Sequence, residues 1–283
     1  MPGVVLDRFG DVAVLQAGCR WADSIATPLA ERLVEQHGMR GVLARHDGAF
    51  RTPEGLEQGV FLLAGEVPEQ IEIRNGPVRR LVDPWRGQKT GVFLDQRCNH
   101  RLAAERLAVG RCLDGFCHDG AFGLHLAEAG SEVVALDGSE PALVRARANA
   151  ELNGLGERFT TLKGNAFEVL REQVAAGEVY DGVVLDPPAL AKKKGDRPRA
   201  LRAYRELAIR GLRLLRPGGR LLFCSCSFHV SREELQGALA QAAADARRDV
   251  SVLERVGAAP CHPELLTFPQ SAYLKGFLLE VMG

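Results

Sequence analysis

The chain has 283 residues, of which 46% are hydrophobic, and its 36 basic side chains balance 36 acidic ones at a formal net charge of +0. This length suits one large domain, or a domain with a smaller companion, and the zero balance excludes a chain coated in basic charge. The first residues lack the basic and apolar segments of a signal peptide, and no apolar run reaches about 18 residues. We therefore expect a soluble, cytoplasmic protein without a transmembrane helix.

Residues 1–80 carry the signals of a small α+β domain. A hairpin is predicted around Gly10 and Asp11, followed by a helix that ends at Gly38. Further short strands are predicted within 41–47, 54–65 and 71–75.

From about residue 110, apolar strands alternate with helices. Such alternation predicts a parallel sheet that helices cover on both faces. The last two strands have no full helix between them, which predicts a closing hairpin with an antiparallel final strand. We therefore predict an α/β domain over 81–283, with a mostly parallel seven-stranded sheet. Its strands are predicted within 111–116, 131–137, 158–165, 180–188, 220–227, 249–256 and 272–281.

Polar residues follow the ends of the first three predicted strands, where ligands bind in open parallel sheets. The first strand ends in the loop "LDGFCHDGAF", in which Asp114 precedes two glycines but no full dinucleotide fingerprint is present. Asp137 ends the second strand and suits ribose hydroxyls, although capping a helix is the alternative. Asn165 ends the third and suits the adenine amine, with a turn role as the alternative. Together they predict an adenosine-shaped slot without a pyrophosphate cradle, which favours S-adenosylmethionine over NAD.

Two further segments follow the fourth and fifth predicted strands. In "LDPPAL", two prolines make a rigid loop that holds Asp186. "FCSCS" contains Cys224 and Cys226, which an apolar strand places on one face. A zinc site would need two more ligands, so no metal is expected, and both packing and nucleophilic roles stay open for these cysteines.

Five segments of the chain, in order and spacing, resemble one protein family. They are "GQKTGVFLDQR" (87–97), "LDGFCHDGAF" (113–122), "DPPALAKKK" (186–194), "FCSCS" (223–227) and "YLKGF" (273–277). The chain resembles class I S-adenosylmethionine-dependent methyltransferases with a Rossmann-like fold, and within them the RlmI-like bacterial large-subunit (23S) rRNA cytosine-C5 methyltransferases. That family usually begins with a PUA-type RNA-binding domain, which we expect this chain to lack.

The resemblance implies roles for individual residues. Cys226 would be the nucleophile, Asp186 would contact the target base and the cofactor, and Asp137 would hold the ribose. Asn165 stands where the family commonly has Asp. The remaining cofactor-binding residues implied are Gln96, Arg97, Asp114, Phe116, Cys117, His118, Gly120 and Ala166.

These roles imply an enzyme that forms 5-methylcytosine in ribosomal RNA. The alternatives are methylation of a purine nitrogen or a small molecule, which needs no thiol, and a non-catalytic protein that binds RNA or the cofactor. A reactive cysteine needs a neighbour that favours its thiolate, and the sequence does not show which residue that is.

The predicted RNA-binding surface is the basic stretch 192–216. Its ten basic residues exceed its two acidic ones by eight, and one face of the predicted helix is apolar. The alternative to RNA binding is a basic helix face that is merely exposed to solvent. The sequence also leaves open whether the chain forms a homodimer. The stripe predicted to bind phosphates consists of Arg199, Arg202, Arg210 and Arg213.

Overall fold

The computed structural model describes residues 3–107, 110–268 and 271–283 of the chain. In this part of the chain, the residues form two compact units. Unit 1 comprises Met1–Arg74 and Arg79–Phe93, and unit 2 comprises Asn75–Val78 and Leu94–Gly283. The sequence-based division at residue 80 stays a prediction.

The elements of unit 1 begin with β1 (Val4–Phe9), β2 (Val12–Ala17), α1 (Arg20–His37), β3 (Gly41–Arg45) and β4 (Val60–Gly65). These four strands form a mixed sheet in the order β1-β2-β3-β4. β1 and β2 form the predicted hairpin, and α1 ends at Gly38, which adopts a left-handed φ of 65° and donates its N–H to the Leu33 carbonyl. Alanines 22, 26 and 30, one turn apart on α1, are buried on its inner side.

The strand predicted within 54–65 is present but occupies only the second half of that range. Residues Ala49–Glu54 form a 3-10 helix, and Gly55 ends it with a left-handed φ of 69°. β4 therefore begins only at Val60. Two strands that follow, β5 (Ile71–Asn75) and β6 (Val78–Val82), pair with each other.

Unit 2 is built on the predicted alternation of strands and helices. The 3-10 turn Leu94–Gln96 leads into α2 (Arg97–Arg106), which precedes the first strand. The elements that follow are β7 (Arg111–Gly115), α3 (Ala121–Glu128), β8 (Glu132–Asp137), α4 (Glu140–Leu152), β9 (Phe159–Lys163), α5 (Ala166–Ala175), β10 (Tyr180–Leu185), α6 (Arg197–Arg213), β11 (Leu215–Ser225), α7 (Arg232–Ala246), β12 (Val250–Gly257) and β13 (Lys275–Val281).

Among the described residues, seven strands of unit 2 form one sheet in the order β12-β13-β11-β10-β7-β8-β9. β9, β8, β7, β10 and β11 run parallel, whereas β13 pairs antiparallel with both β11 and β12. The Rossmann-like α/β fold and the antiparallel final strand are thereby confirmed.

Helices cover both faces of this sheet, so its central strands are apolar on both sides. Along β11, Phe223 packs into the core beneath α6 with Tyr204, while Leu222 and Cys224 belong to the core on the opposite face. All four side chains have no exposed surface. This burial explains why the strands read as nearly continuous apolar runs.

The prediction for the α6–β11 junction is wrong in detail. The strand was predicted within 220–227, but α6 already ends at Arg213, and Leu215 pairs with Tyr180 in β11. Gly218, with φ at 76°, lies within this irregular start of the strand. No helix in the described part of the chain is long and apolar enough to cross a membrane.

Candidate active site

The parallel strands bring the predicted site residues to one edge of the sheet. Asp114 is the last residue but one of β7, Asp137 ends β8, and Asp186 follows β10 directly. Asn165 follows β9, and Cys226 follows β11. Since parallel strands end at the same edge, residues far apart in sequence share one surface.

The loop from β7 to α3 is held in an unusual backbone conformation. Phe116 and His118 adopt left-handed φ angles of 67° and 50°, and Gly120 follows at 86°. For a side chain other than glycine this conformation costs about 1–2 kcal/mol. The loop is tied to β8, because the Cys117 N–H donates to the Leu136 carbonyl at 3.0 Å. Strain of this kind concentrates at functional sites.

Asp114 is a buried carboxyl group beneath this loop. It is 1% exposed, and its Oδ2 accepts the N–H of Gly123 in α3 at 2.8 Å. Its Oδ1 has no hydrogen-bond partner among the residues that the structure describes. Burial is the main cause that raises its pKa to about 7.

The Asp137 carboxylate is fixed by two backbone groups. Oδ2 accepts the His118 N–H at 2.9 Å, and Oδ1 accepts the Ser139 N–H at 2.8 Å. Ser139, rather than Asp137, is the residue that caps α4. Each carboxylate oxygen has room for a further hydrogen bond, so Asp137 remains suited to ribose hydroxyls.

Asn165 has a structural task of its own. It caps α5 by accepting the Phe167 N–H at 2.9 Å through its side-chain oxygen, and Ala166 opens that helix. The turn role left open by the sequence is therefore present. Contact with adenine stays a prediction for both residues.

Asp186 is held by the segment that precedes β7. Gln96, 3% exposed, donates from Nε2 to Asp186 Oδ2 at 2.9 Å, and its Oε1 accepts from Asn99 at 2.6 Å. Arg97 is exposed, and its side chain makes no hydrogen bond within the described residues. The structure thus joins Gln96 to Asp186 and does not join Arg97 to them.

The Ser-Cys-Ser segment at 225–227 is anchored by its two serines. The strand predicted within 220–227 ends at Ser225, so Cys226 lies directly after it, at the strand end. The Ser225 hydroxyl donates to the Tyr204 oxygen at 2.9 Å, and the Tyr204 and Ser227 hydroxyls are 2.6 Å apart. Ser227 Oγ also accepts the N–H of Ala191, from the loop that begins with Asp186, at 3.0 Å.

This anchoring leaves Cys226 in a different environment from its neighbours. Ser225 and Ser227 have no exposed surface, whereas Cys226 is only half-buried. Cys224 is fully buried in β11, and burial raises the pKa of its thiol well above the ordinary value. Its environment is that of a packing residue, while Cys226 has the access that a nucleophile needs.

Sequence reasoning missed several residues around this segment. Neither Tyr204, within the basic stretch 192–216, nor Lys275, within the "YLKGF" motif, was given a role at the site. The Tyr273 hydroxyl also donates to the buried Asp95 at 2.6 Å. The signal available in the sequence was the "YLKGF" motif itself, which contains both Tyr273 and Lys275.

The basic stretch 192–216 divides into two parts. Five arginines are engaged within the chain. They are Arg197 with Glu234, Arg205 with Asp245, Arg210 with Glu206 of the same helix and the Phe167 carbonyl, Arg213 with the Asp245 carbonyl, and Arg216 with Asp181. The predicted four-arginine stripe is thus shortened, since Arg210 and Arg213 are partly committed. Side chains with no hydrogen bond or ion pair in the described structure are Lys192, Lys194, Arg199 and Arg202, all exposed and close to the Asp186 loop.

No group of three or more His, Cys, Asp or Glu residues in the described ranges could hold a metal ion. The chemistry available at the edge of the sheet is therefore that of one accessible thiol, several fixed carboxyl groups and a strained loop.

The fold and this arrangement define a class, and a family comparison agrees. Residues 36–279 match a family described as S-adenosylmethionine-dependent methyltransferase, and the chain belongs to that family. S-adenosylmethionine is therefore its cofactor.

Similar proteins narrow the class further. The chain is 38% identical to "Ribosomal RNA large subunit methyltransferase I" of Photobacterium profundum over 284 residues, covering 99% of this chain and 72% of that protein. The protein of the same name from Aeromonas hydrophila is 37% identical over 287 residues, with the same coverage. The predicted resemblance to this group is confirmed.

Solved structures show the same fold. "SMU.776, a putative methyltransferase complexed with SAH" has a TM-score of 0.84 at 20% identity, covering 99% of this chain and 72% of that chain. Trm5b from Pyrococcus abyssi has a TM-score of 0.71 at 16% identity, covering 99% and 75%.

The residues at the sheet edge fit S-adenosylmethionine. The cofactor carries an ammonium and a sulfonium, and Asp114 offers a buried carboxyl group with one unsatisfied oxygen. The cofactor also carries two ribose hydroxyls, and Asp137 offers a carboxylate that two backbone N–H groups hold in place. A cation near Asp114 would favour its ionised form and offset the cost of its burial.

Proposed function

We propose that the chain methylates C5 of a cytosine in large-subunit ribosomal RNA through a covalent adduct with Cys226. One observation carries the proposal: the half-buried Cys226 lies between two fully buried serines, of which Ser227 accepts a hydrogen bond from the loop that carries Asp186. The names of the relatives support the RNA substrate, since both are large-subunit ribosomal RNA methyltransferases.

The proposed cofactor site follows the strand ends. Asp137 would bind the ribose hydroxyls, and Asn165 with Ala166 would bind adenine. Gln96, Arg97 and Asp114 would lie toward the methionine end. The strained loop, with Phe116, Cys117, His118 and Gly120, would bring its backbone against the cofactor.

The thiol addresses a chemical difficulty of the substrate, because C5 of cytosine is a poor nucleophile. The Cys226 thiolate adds to C6 of the ring and makes C5 an enamine carbon. When bound, S-adenosylmethionine would supply its methyl group to that carbon and leave as S-adenosylhomocysteine. Loss of the C5 proton to a base expels the Cys226 thiolate and restores the ring.

Asp186 would act on the same ring. A proton held between its carboxyl group and N3 would neutralise the charge that thiolate addition places on the base. The hydrogen bond from Gln96 at 2.9 Å holds this carboxyl group in position. Since Ser227 accepts from Ala191 at 3.0 Å, the nucleophile and the Asp186 loop are held together as well.

The cations not engaged within the chain would bind the RNA backbone. They lie between Lys192 and Arg202, at the start of α6 and in the segment before it. The target base must leave its stack to reach the thiol, and backbone contacts beside the site would hold the strand while it does so.

The test uses methyl-labelled S-adenosylmethionine, unmodified large-subunit rRNA and nucleoside mass spectrometry. Label is expected in 5-methylcytidine with wild-type protein and with Cys224→Ala, the matched control, but not with Cys226→Ala. Label in a purine would contradict the proposal, as would undiminished label in Cys226→Ala.

A second experiment tests the adduct itself. In RNA that contains 5-fluorocytidine, the methylated ring has no C5 proton to lose, so the thiolate cannot be expelled. We expect a protein–RNA complex that survives denaturing electrophoresis, requires S-adenosylmethionine and is absent in Cys226→Ala. Methylation of 5-fluorocytidine without a covalent complex would rule out the Cys226 adduct.

A further inference from the structure

Lys275 is a buried lysine next to the proposed nucleophile. It opens β13, pairs across the sheet with Ser225 of β11, and is 3% exposed. Lysine is almost never buried to this extent without a partner of opposite charge. Its position therefore calls for a physical explanation.

The hydrogen bonds of Lys275 do not supply such a partner. Its Nζ donates to the carbonyl oxygen of Ser227 at 2.6 Å. No carboxylate lies within ion-pair distance of Nζ in the described part of the chain. A single neutral acceptor compensates a buried ammonium only in part, because burying an unpaired charge is costly.

The charged groups around Lys275 point to Cys226. Burial lowers the pKa of Lys275 to about 8, and a negative charge on Cys226 is the largest influence that opposes this. From α7, Arg232 lowers the pKa further and Glu234 raises it, both less strongly. With a pKa near 8, most of the lysine still carries its positive charge at neutral pH.

Other titratable groups also surround the thiol. Burial is the main cause that raises the pKa of Tyr204, Cys224 and Tyr273, and a negative charge on Cys226 contributes to each of the three shifts. The groups that act on Cys224 and Tyr273 in turn are Asp95, Asp186 and Cys261. None of these three groups can supply a positive charge, whereas the Lys275 ammonium lies at the Ser-Cys-Ser segment, hydrogen-bonded to the Ser227 carbonyl.

We propose that the Lys275 ammonium stabilises the thiolate form of Cys226, and that β13 thereby supplies the charge that prepares the nucleophile. The inference rests on the proposed function of Cys226. On ionisation the S–H bond breaks, the proton passes to solvent, and Lys275 keeps its own proton. Lys275 therefore acts on the reaction only through the charge of Cys226, which makes it a positioning residue and not a catalytic one.

The burial of Lys275 argues against a direct role with RNA. With 3% of its surface exposed and Nζ turned to the Ser227 carbonyl, the ammonium is not presented to a phosphate. A purely mechanical role is the remaining rival, because the same hydrogen bond also anchors the Ser-Cys-Ser segment. A test must therefore separate the charge from the hydrogen bond.

The test measures the rate at which iodoacetamide alkylates Cys226 between about pH 5 and pH 10, by peptide mass spectrometry of the native full chain. Lys275→Gln keeps an N–H donor for Ser227 but removes the charge. Tyr204→Phe keeps the charge but removes the hydroxyl that links Ser225 and Ser227. The exposed Cys98, quantified in the same digests, is the internal standard, and circular dichroism confirms folding.

A cation within about 4–6 Å shifts such an ionisation by roughly one to three pH units. We expect the midpoint of wild-type alkylation to lie at least one unit below the ordinary cysteine value of about 8.5. Lys275→Gln should raise it by one unit or more and slow alkylation about tenfold at pH 7, while Tyr204→Phe should leave it in place.

Three outcomes would overturn the inference. They are a wild-type midpoint at or above about 8.5, an unchanged midpoint in Lys275→Gln, and an equal shift in Tyr204→Phe. The first needs no variant, so it stands even where Lys275→Gln does not fold. Because alkylation uses neither RNA nor cofactor, its result is separate from any failure of the methylation assay.

Discussion

Replacing Asp114 with asparagine should remove a pH dependence that this buried carboxyl group imposes on the stability of unit 2. Burial raises its pKa from 3.8 to about 7, a difference of about 3 units or about 4 kcal/mol. The folded state holds this proton more tightly than the unfolded state does. The stabilisation that the protonated Asp114 gives the folded state is therefore complete below about pH 4, and it is lost as the pH rises to about 7.

Between about pH 5 and pH 8.5, Asp114 should cost the wild type about 3 kcal/mol of its free energy of unfolding. Asparagine cannot ionise, but its oxygen can still accept the Gly123 N–H. The difference in unfolding free energy between the wild type and Asp114→Asn should therefore change by about 3 kcal/mol across that range. The wild type becomes less stable relative to the variant as the pH rises.

The assay is urea unfolding followed by far-UV circular dichroism, because helices α2 to α7 belong to unit 2. Tryptophan fluorescence would not serve, since Trp21 and Trp85 both lie in unit 1. The exposed Asp249→Asn is the control and should keep the wild-type pH profile. Parallel pH profiles for the wild type and Asp114→Asn would refute the reasoning.

Three further changes probe the loop, the cofactor and the RNA surface. Gly120→Ala should lower the melting temperature more than Gly154→Ala. Both glycines have positive φ, but only an alanine at 120 would place its Cβ against a neighbour, 3.0 Å from a Phe159 ring atom, so equal melting temperatures would contradict this. Asp137→Asn should weaken S-adenosylmethionine binding about tenfold or more in calorimetry, through lost charge-assisted hydrogen bonds, and unchanged affinity would exclude the ribose contact. Replacing the three lysines 192–194 with alanine should weaken RNA binding and reduce the slope of log affinity against log salt concentration by about 2–3. Arg213→Ala should change neither the affinity nor the slope. An unchanged slope in the triple variant would show that these lysines do not bind RNA.

Much of unit 2 could be predicted because its signals are local. Apolar runs bounded by turn residues mark each strand, and the absence of a helix between the last two strands marks the closing hairpin. The position of Asp137 and Asp186 at one edge followed from the same pattern, because parallel strands bring their carboxyl ends together. The motifs then linked that edge to a family, which the comparisons confirm.

Other features depend on contacts that sequence patterns do not record. The start of β11 at Leu215 depends on pairing with Tyr180, and the shortened basic stripe depends on partners such as Asp245 in α7. The capping role of Asn165 became certain only once the Phe167 N–H was seen to donate to it.

The sequence by itself determined the order of strands and helices, the class of the fold and the residues at the strand ends, because periodicity and turn chemistry are properties of neighbouring residues. Only the tertiary structure decided that Tyr204 and Ser227 anchor the segment of Cys226, and that Lys275 lies buried beside it. These residues come from α6, β11 and β13. Hydrogen bonding and the loss of solvent act on them only after the chain has brought those elements together.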